Sequence, residues 1–204
     1  MGFLAGAAAF TRYRITEPVP DTLWAEVADR LKKNAFREID DTADERSFGW
    51  VSFEDMLDPA WREAPPQKGA YLAFSLRLDT RRVPPAVYKK HFLLALREEE
   101  RKAQEAGRKF VSRERKKELR EQVKLRLMVR TLPIPAVFEA VWNTQTGVIW
   151  LGSVTPKLRS LFEDHFTLTF NLHLEPLTPT RLALDVLGEA RARELDNLEP
   201  TIFV

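Results

Sequence analysis

Pro84-Pro85 and, further on, Pro133 and Pro135 bracket a stretch whose one glycine is Gly107 and which contains no proline. Proline suits the first turn of a helix but cannot continue one, and glycine commonly follows a helix end. The stretch therefore reads as two long helices. The first opens at Pro84-Pro85, runs through "AVYKKHFLLALREEERKAQEA" and ends at a Gly107 cap. The second has Ser112 as its N-cap and continues to about Val129.

The two helices differ in character. The first offers Val87, Tyr88, Phe92, Leu93, Leu94 and Leu96 to a core, whereas "REEERKAQEA" has almost nothing to bury. Glu98 with Lys102 and Arg101 with Glu105 are opposite-sign pairs at helical spacing, so this half reads as a solvated arm standing off the body. On the second helix, Arg113, Lys117, Arg120 and Lys124 fall in one narrow stripe. Leu119, Val123 and Leu127 form an apolar seam to one side of it, and Glu114, Glu118 and Glu121 an acidic stripe to the other. A helix held only by surface ion pairs does not need such sorting. A basic ridge beside a docking seam suits the spaced phosphates of a nucleic acid, although a charge run is commonly just a solvated face.

Whole-chain charge hides this asymmetry. Residues 81–126 hold 16 Lys and Arg against 7 Glu, a net of +9, while the remaining 16 basic and 23 acidic residues make −7. A basic segment in an otherwise acidic chain suggests a surface aimed at a polyanion.

Around the helical pair the pattern is mixed. "FLAGAAAFTRYRI" (3–15) reads as a first strand, and Asp21 as the cap of an amphipathic helix carrying Leu23, Trp24, Val27, Ala28 and Leu31. "RSFGWVSF" (46–53) is a short aromatic strand, and the proline-rich residues 54–69 a loop or hairpin tip. Residues 70–80 alternate, with Leu72, Phe74, Leu76 and Leu78 on one face. Residues 136–153 read as a hairpin turning at Gly147, 155–166 as a helix, 167–177 as a strand, and the segment from Thr178 as a further capped helix. The order indicates an α+β fold, mostly antiparallel sheet packed with helices, plus a protruding pair of long charged helices. It divides into an N-terminal α+β part (1–80), the basic helical pair (81–132) and a C-terminal α+β part (133–204), expected to form one continuous structural unit. With 44% hydrophobic and 30% charged residues the chain is expected to be a folded soluble protein, without a signal peptide or membrane span.

Enzymatic signals are sparse. There is no phosphate-binding GxxxxGK loop and no GxGxxG fingerprint. With no cysteine, and with His91, His165 and His173 outside metal-ligand spacing, no metal site or cofactor is expected. Glu54, Asp55 and Asp58 could hold a metal for a nuclease, but acids are also common in such loops for turn reasons. Of the five tryptophans, Trp24, Trp142 and Trp150 read as core, and Trp61, in the loop, as the one free to stack on a base.

Several local features, in order, resemble the recombination-associated protein RdgC family. They are "FGWV" (48–51), "PPAVYKK" (84–90) opening a long charged helix, a basic second helix ending in "LP" (132–133), and "VWNTQTG" (141–147) before an apolar strand. The resemblance covers roughly residues 1–175, and no single motif in it is catalytic. It implies a non-enzymatic, cytoplasmic, nucleoid-associated protein that binds double-stranded DNA with little sequence preference. It further implies a homodimer that encloses or clamps the duplex and modulates recombination, with no membrane association and no small-molecule substrate. Typical members continue well beyond the point matching Glu175, so a reduced C-terminal region puts ring closure in question. On this reading the phosphates meet Arg113, Lys116, Lys117, Arg120 and Lys124, assisted by Lys89, Lys90, Arg108 and Lys109. The alternatives are a protein-interaction module using the charged arm and, third, a metal-dependent nuclease.

Overall fold

The computed structural model describes residue 3 and residues 8–199. Their secondary structure is β1 (Thr11–Ile15), α1 (Asp21–Lys33), β2 (Arg46–Ser52), β3 (Gln67–Lys68), β4 (Tyr71–Thr80), α2 (Pro85–Glu105), α3 (Arg113–Arg130), β5 (Ile134–Asn143), β6 (Val148–Leu151), α4 (Pro156–Phe170), β7 (Leu174–Pro176), α5 (Pro179–Leu187), a 3-10 turn (Glu189–Arg191) and α6 (Ala192–Asp196). The fold is α+β. The strands make one antiparallel sheet in the order β2-β4-β5-β6-β1-β7, with β3 paired to β4 beside that path.

The chain resolves into two units. The first comprises Met1–Asn34, Trp50–Leu76 and Phe138–Val204; the second comprises Ala35–Gly49 and Arg77–Val137. Strands β2, β4 and β5 supply residues to both.

In the first unit, α4 presents Leu158, Phe162, Phe166 and Phe170 at four-residue steps, so one helical face is a buried aromatic ridge. It meets Trp50, Phe74 and Trp142 in edge-on and tilted ring contacts at 5.6–6.0 Å, and Trp50 and Phe74 meet each other edge-on at 5.0 Å. The Trp50 indole N–H donates to Thr169 Oγ1 at 2.7 Å, which satisfies the polar atom of a fully buried side chain. Register is explicit at β1, where Tyr13 lies opposite Ile149 of β6 and opposite Pro176 of β7.

The second unit is organised by arginines. Arg77 is 5% exposed, bonds Asp79 and Glu38 through both faces of its fork, and lies 4.0 Å from the centre of the Phe36 ring. Arg81 donates to the carbonyls of Ile39, Asp40, Thr42 and Met128, tying the loop after α1 to the end of α3. Gly49, the glycine of "FGWV", runs so close to Phe36 that a Cβ there would collide with the Phe36 backbone nitrogen.

Several expectations change. Strand β1 begins at Thr11; residues 8–10 are irregular, and residues 1, 2 and 4–7 lie outside the described residues. Asp21 is the first residue of α1 and no side chain caps that helix. Strand β4 is covered on both faces from Leu72 to Arg77, so its alternation does not mark a half-exposed strand. The segment read as a strand from Thr167 is helical to Phe170. The Thr169 hydroxyl donates to the His165 carbonyl, and Asn171, in the left-handed conformation at φ 58°, ends the helix. Trp61 is buried rather than offered to a base. On α2 the expected core residues Val87, Leu93 and Leu94 are exposed, and the one buried residue of the helix is Ala103, in the half expected to be solvated.

Candidate nucleic-acid interface

Local chemistry forms the turn of the helical hairpin. Gly107 adopts φ 69°, a conformation cheap only for glycine, and the Arg108 N–H returns to the Ala103 carbonyl at 2.8 Å. Ser112 accepts the Arg115 N–H at 3.1 Å, so α3 starts where its cap dictates. The helices run antiparallel: Arg115, early in α3, reaches Glu99 at 2.8 Å, whereas Arg120, a turn later, lies over Phe92, earlier in α2.

The seam and the stripe separate as the spacing of α3 requires. Leu119, Val123 and Leu127 are buried, joined by Met128, while Arg113, Lys117, Arg120 and Lys124 are exposed. Arg113 and Lys117 make no ion pair among the described residues. The stripe is not uniformly available, however. Arg120 sits 5.3 Å from the centre of the Phe92 ring. Lys124 is ion-paired with Glu45, which raises its pKa through that hydrogen bond.

The other expected residues divide into two places. Arg108 and Lys109 lie in the hairpin turn, and Lys116, half-exposed, shares a small cavity of about 110 Å³ with Lys109 and Phe110. Lys89 and Lys90 line a separate surface of α2 together with Leu93, Leu94 and Arg97. The structure thus groups Arg108, Lys109, Arg113, Lys116 and Lys117 around the turn and the first half of α3, and sets Lys89 and Lys90 apart. Sequence reasoning passed over Arg115, whose pairing with Glu99 and then Glu118 raises its pKa and locks the two helices together. It also passed over Arg126 and Arg130, which line the groove shared by α2 and α3. Both lie at helical spacing from Gln122, on the side of α3 that faces α2.

The loop acids have local work. Asp58 accepts the N–H groups of Ala60 and Arg62 at 3.0 and 2.6 Å, and Asp55 accepts that of Leu57 at 2.8 Å. Glu54 pairs with Lys68 at 2.6 Å. Among the described residues no group of three or more His, Asp or Glu side chains is arranged to hold a metal ion, and no helix is long and apolar enough to cross a membrane.

The fold and site thus define an α+β protein whose fixed positive charge is concentrated on a helical hairpin. The chain belongs to the RdgC family: the family model described as "Putative exonuclease, RdgC" matches residues 9–186. A search of curated proteins finds no match.

Proposed function

We propose that this chain is a recombination-related DNA-binding protein that holds duplex DNA through phosphate contacts rather than base readout. The observation that carries the reading is the separation on α3 of a buried seam from an exposed stripe in which Arg113 and Lys117 make no ion pair among the described residues. Membership of the RdgC family supports a role in recombination. Arg113, Lys116, Lys117 and Arg120 neutralise phosphates, Arg108 and Lys109 extend the track around the turn, and Lys124 joins by exchanging Glu45 for a phosphate. Lys89 and Lys90 contribute long-range attraction. Each phosphate neutralised releases condensed counterions, so affinity falls with salt and varies little with sequence. The working form is a homodimer that encloses or clamps the duplex, acts without cleaving it, and associates with the nucleoid.

The test is a duplex titration at several salt concentrations, run with and without magnesium. Salt-sensitive binding that leaves the DNA intact supports the reading. Binding that ignores salt refutes it, and magnesium-dependent shortening of the duplex moves the protein to the exonuclease named in the family description.

A further inference from the structure

Two surfaces of the helical hairpin flank the phosphate track, which reaches the second of them only at Lys124. The first lies on α2, where Ala86, Lys89, Lys90, Leu93, Leu94 and Arg97 line a shallow groove of about 370 Å³. Leu93 and Leu94 are 43% and 52% exposed, so its centre is apolar and its rim cationic. Neither Lys89, Lys90 nor Arg97 has an ion-pair partner among the described residues. The second lies on α3, where Ala43, Glu118, Glu121, Leu125 and Met128 line a groove of about 470 Å³. Its centre is apolar too, with Leu125 57% exposed, and its rim is acidic. Lys124, on the same rim, is held by Glu45, and Glu118 bonds Arg115 at 3.0 Å. Glu121 has no ion-pair partner among the described residues.

At roughly 3.6 residues per turn, Lys90, Leu93 and Arg97 stand on the far side of α2 from His91, Ala95 and Lys102, which line the groove shared with α3. In the same way Glu121 and Leu125 stand on the far side of α3 from Leu119, Val123 and Leu127, with Met128 buried at the floor of the groove. The two surfaces therefore face away from each other on one hairpin, with Leu94 and Gln122 at their borders with the groove between the helices, and a single molecule cannot bring them together. They match in length: residues 86–97 and 118–128 each span about 15 Å of helix. They match in character, an apolar centre on both, and their rims are opposite in charge. Attraction to phosphates, which Lys89, Lys90 and Lys124 can share, explains neither the carboxylates of the one surface nor the exposed leucines of the other.

We infer that the cationic edge of α2 in one copy of this chain docks into the acidic groove of α3 in a second copy. The contact is heterologous: each copy uses a different edge, and each retains one edge free. Association then continues beyond a pair, into a closed ring or an open chain according to the rotation between copies, unlike a two-fold dimer, which uses its surface up. Opposite rims also make the contact weaker as salt rises. This inference is independent of the DNA-binding reading and is tested without DNA.

The experiment is sedimentation velocity of the full chain over a wide concentration range, with two variants whose folding is checked by circular dichroism. Leu93→Glu/Arg97→Glu spoils the α2 edge and Glu121→Lys/Leu125→Lys spoils the α3 groove. The parent protein should grow in mass with concentration beyond its smallest species, and should grow less at high salt. Each variant alone should remain at that smallest species, be it monomer or dimer, so the homodimer reading stands or falls separately. Mixed together, each variant offers the other the partner face it no longer has. A labelled α2-edge variant should then sediment in larger complexes with the unlabelled α3-groove variant. A parent that never grows, either variant growing like the parent, or a mixture that forms no joint complex would each overturn the inference; in the last two cases these edges are left to another protein.

Discussion

Arg120 of α3 holds its guanidinium 5.3 Å from the centre of the Phe92 ring on α2. A residue of the basic stripe thus also joins the two helices, while Arg113 and Lys117, on the same stripe, make no such contact among the described residues. The stripe can therefore be dissected. Arg120→Glu should cost on the order of 0.5–1 kcal/mol of stability, as expected for an exposed cation over a ring. Arg113→Glu/Lys117→Glu should stay within about 0.5 kcal/mol of the parent per site. Urea unfolding of the variants measures the difference, and equal stabilities would deny Arg120 its contact with Phe92.

Leu119 is 7% exposed and Val123 2% exposed on the seam. Leu119→Ala should cost about 2–5 kcal/mol through reduced burial and a residual cavity. Thermal unfolding checks this. A loss below about 1 kcal/mol, as a solvated helix gives, would mean that α3 is not held by this face.

Asp79 and Arg77 are both buried and bond at 2.7 and 2.9 Å, while Glu38, the second partner of Arg77, is largely exposed. Asp79→Ala leaves a buried guanidinium short of its buried partner and should cost about 3–5 kcal/mol. Glu38→Ala should cost about 1 kcal/mol or less, because a partner open to water is easily replaced by water. Chemical denaturation of the two variants compares them, and a cost at Glu38 equal to that at Asp79 would contradict the assignment.

His165 packs 4.6 Å from the Trp50 ring with Nε2 3.1 Å from the Asn34 carbonyl oxygen. Burial pushes its pKa down, partly opposed by that hydrogen bond. The folded state then resists a proton that the unfolded chain accepts below its ordinary value of about 6.5. Stability should fall as pH drops below about 6.5, down to the lowered folded value. Replacing the residue by phenylalanine removes this proton uptake, so the slope between about pH 7 and 5 should flatten. Parallel stability profiles for the parent and His165→Phe would contradict the assignment.

How far the sequence could be read depended on the range of the interaction. Pro85 at the first turn of α2, Gly107 beyond its end and Ser112 capping α3 were legible because each acts within a few residues. The seam of Leu119, Val123 and Leu127 was legible because helical period alone sorts it. Thr167–Phe170 misled because β-branched and aromatic residues suit a strand, and only the distant Trp50 shows why Thr169 belongs in a helix. Exposure of Val87, Leu93 and Leu94 could not be read, since an apolar face says nothing about whether the same chain covers it. Nor could the pairing of Lys124 with Glu45, which depends on a fold that brings distant segments together.

The central claim, that the exposed stripe of α3 holds DNA by its phosphates, is tested most directly by titrating random-sequence duplex at several salt concentrations. The parent and the folded Arg113→Glu/Lys117→Glu variant are compared. Parental affinity should fall steeply with salt. The variant should bind more weakly on every sequence, and its salt slope should be shallower by about one unit for each phosphate it no longer neutralises. A variant that binds all duplexes with the affinity and salt slope of the parent would contradict the claim, and would leave α3 an ordinary solvated helix.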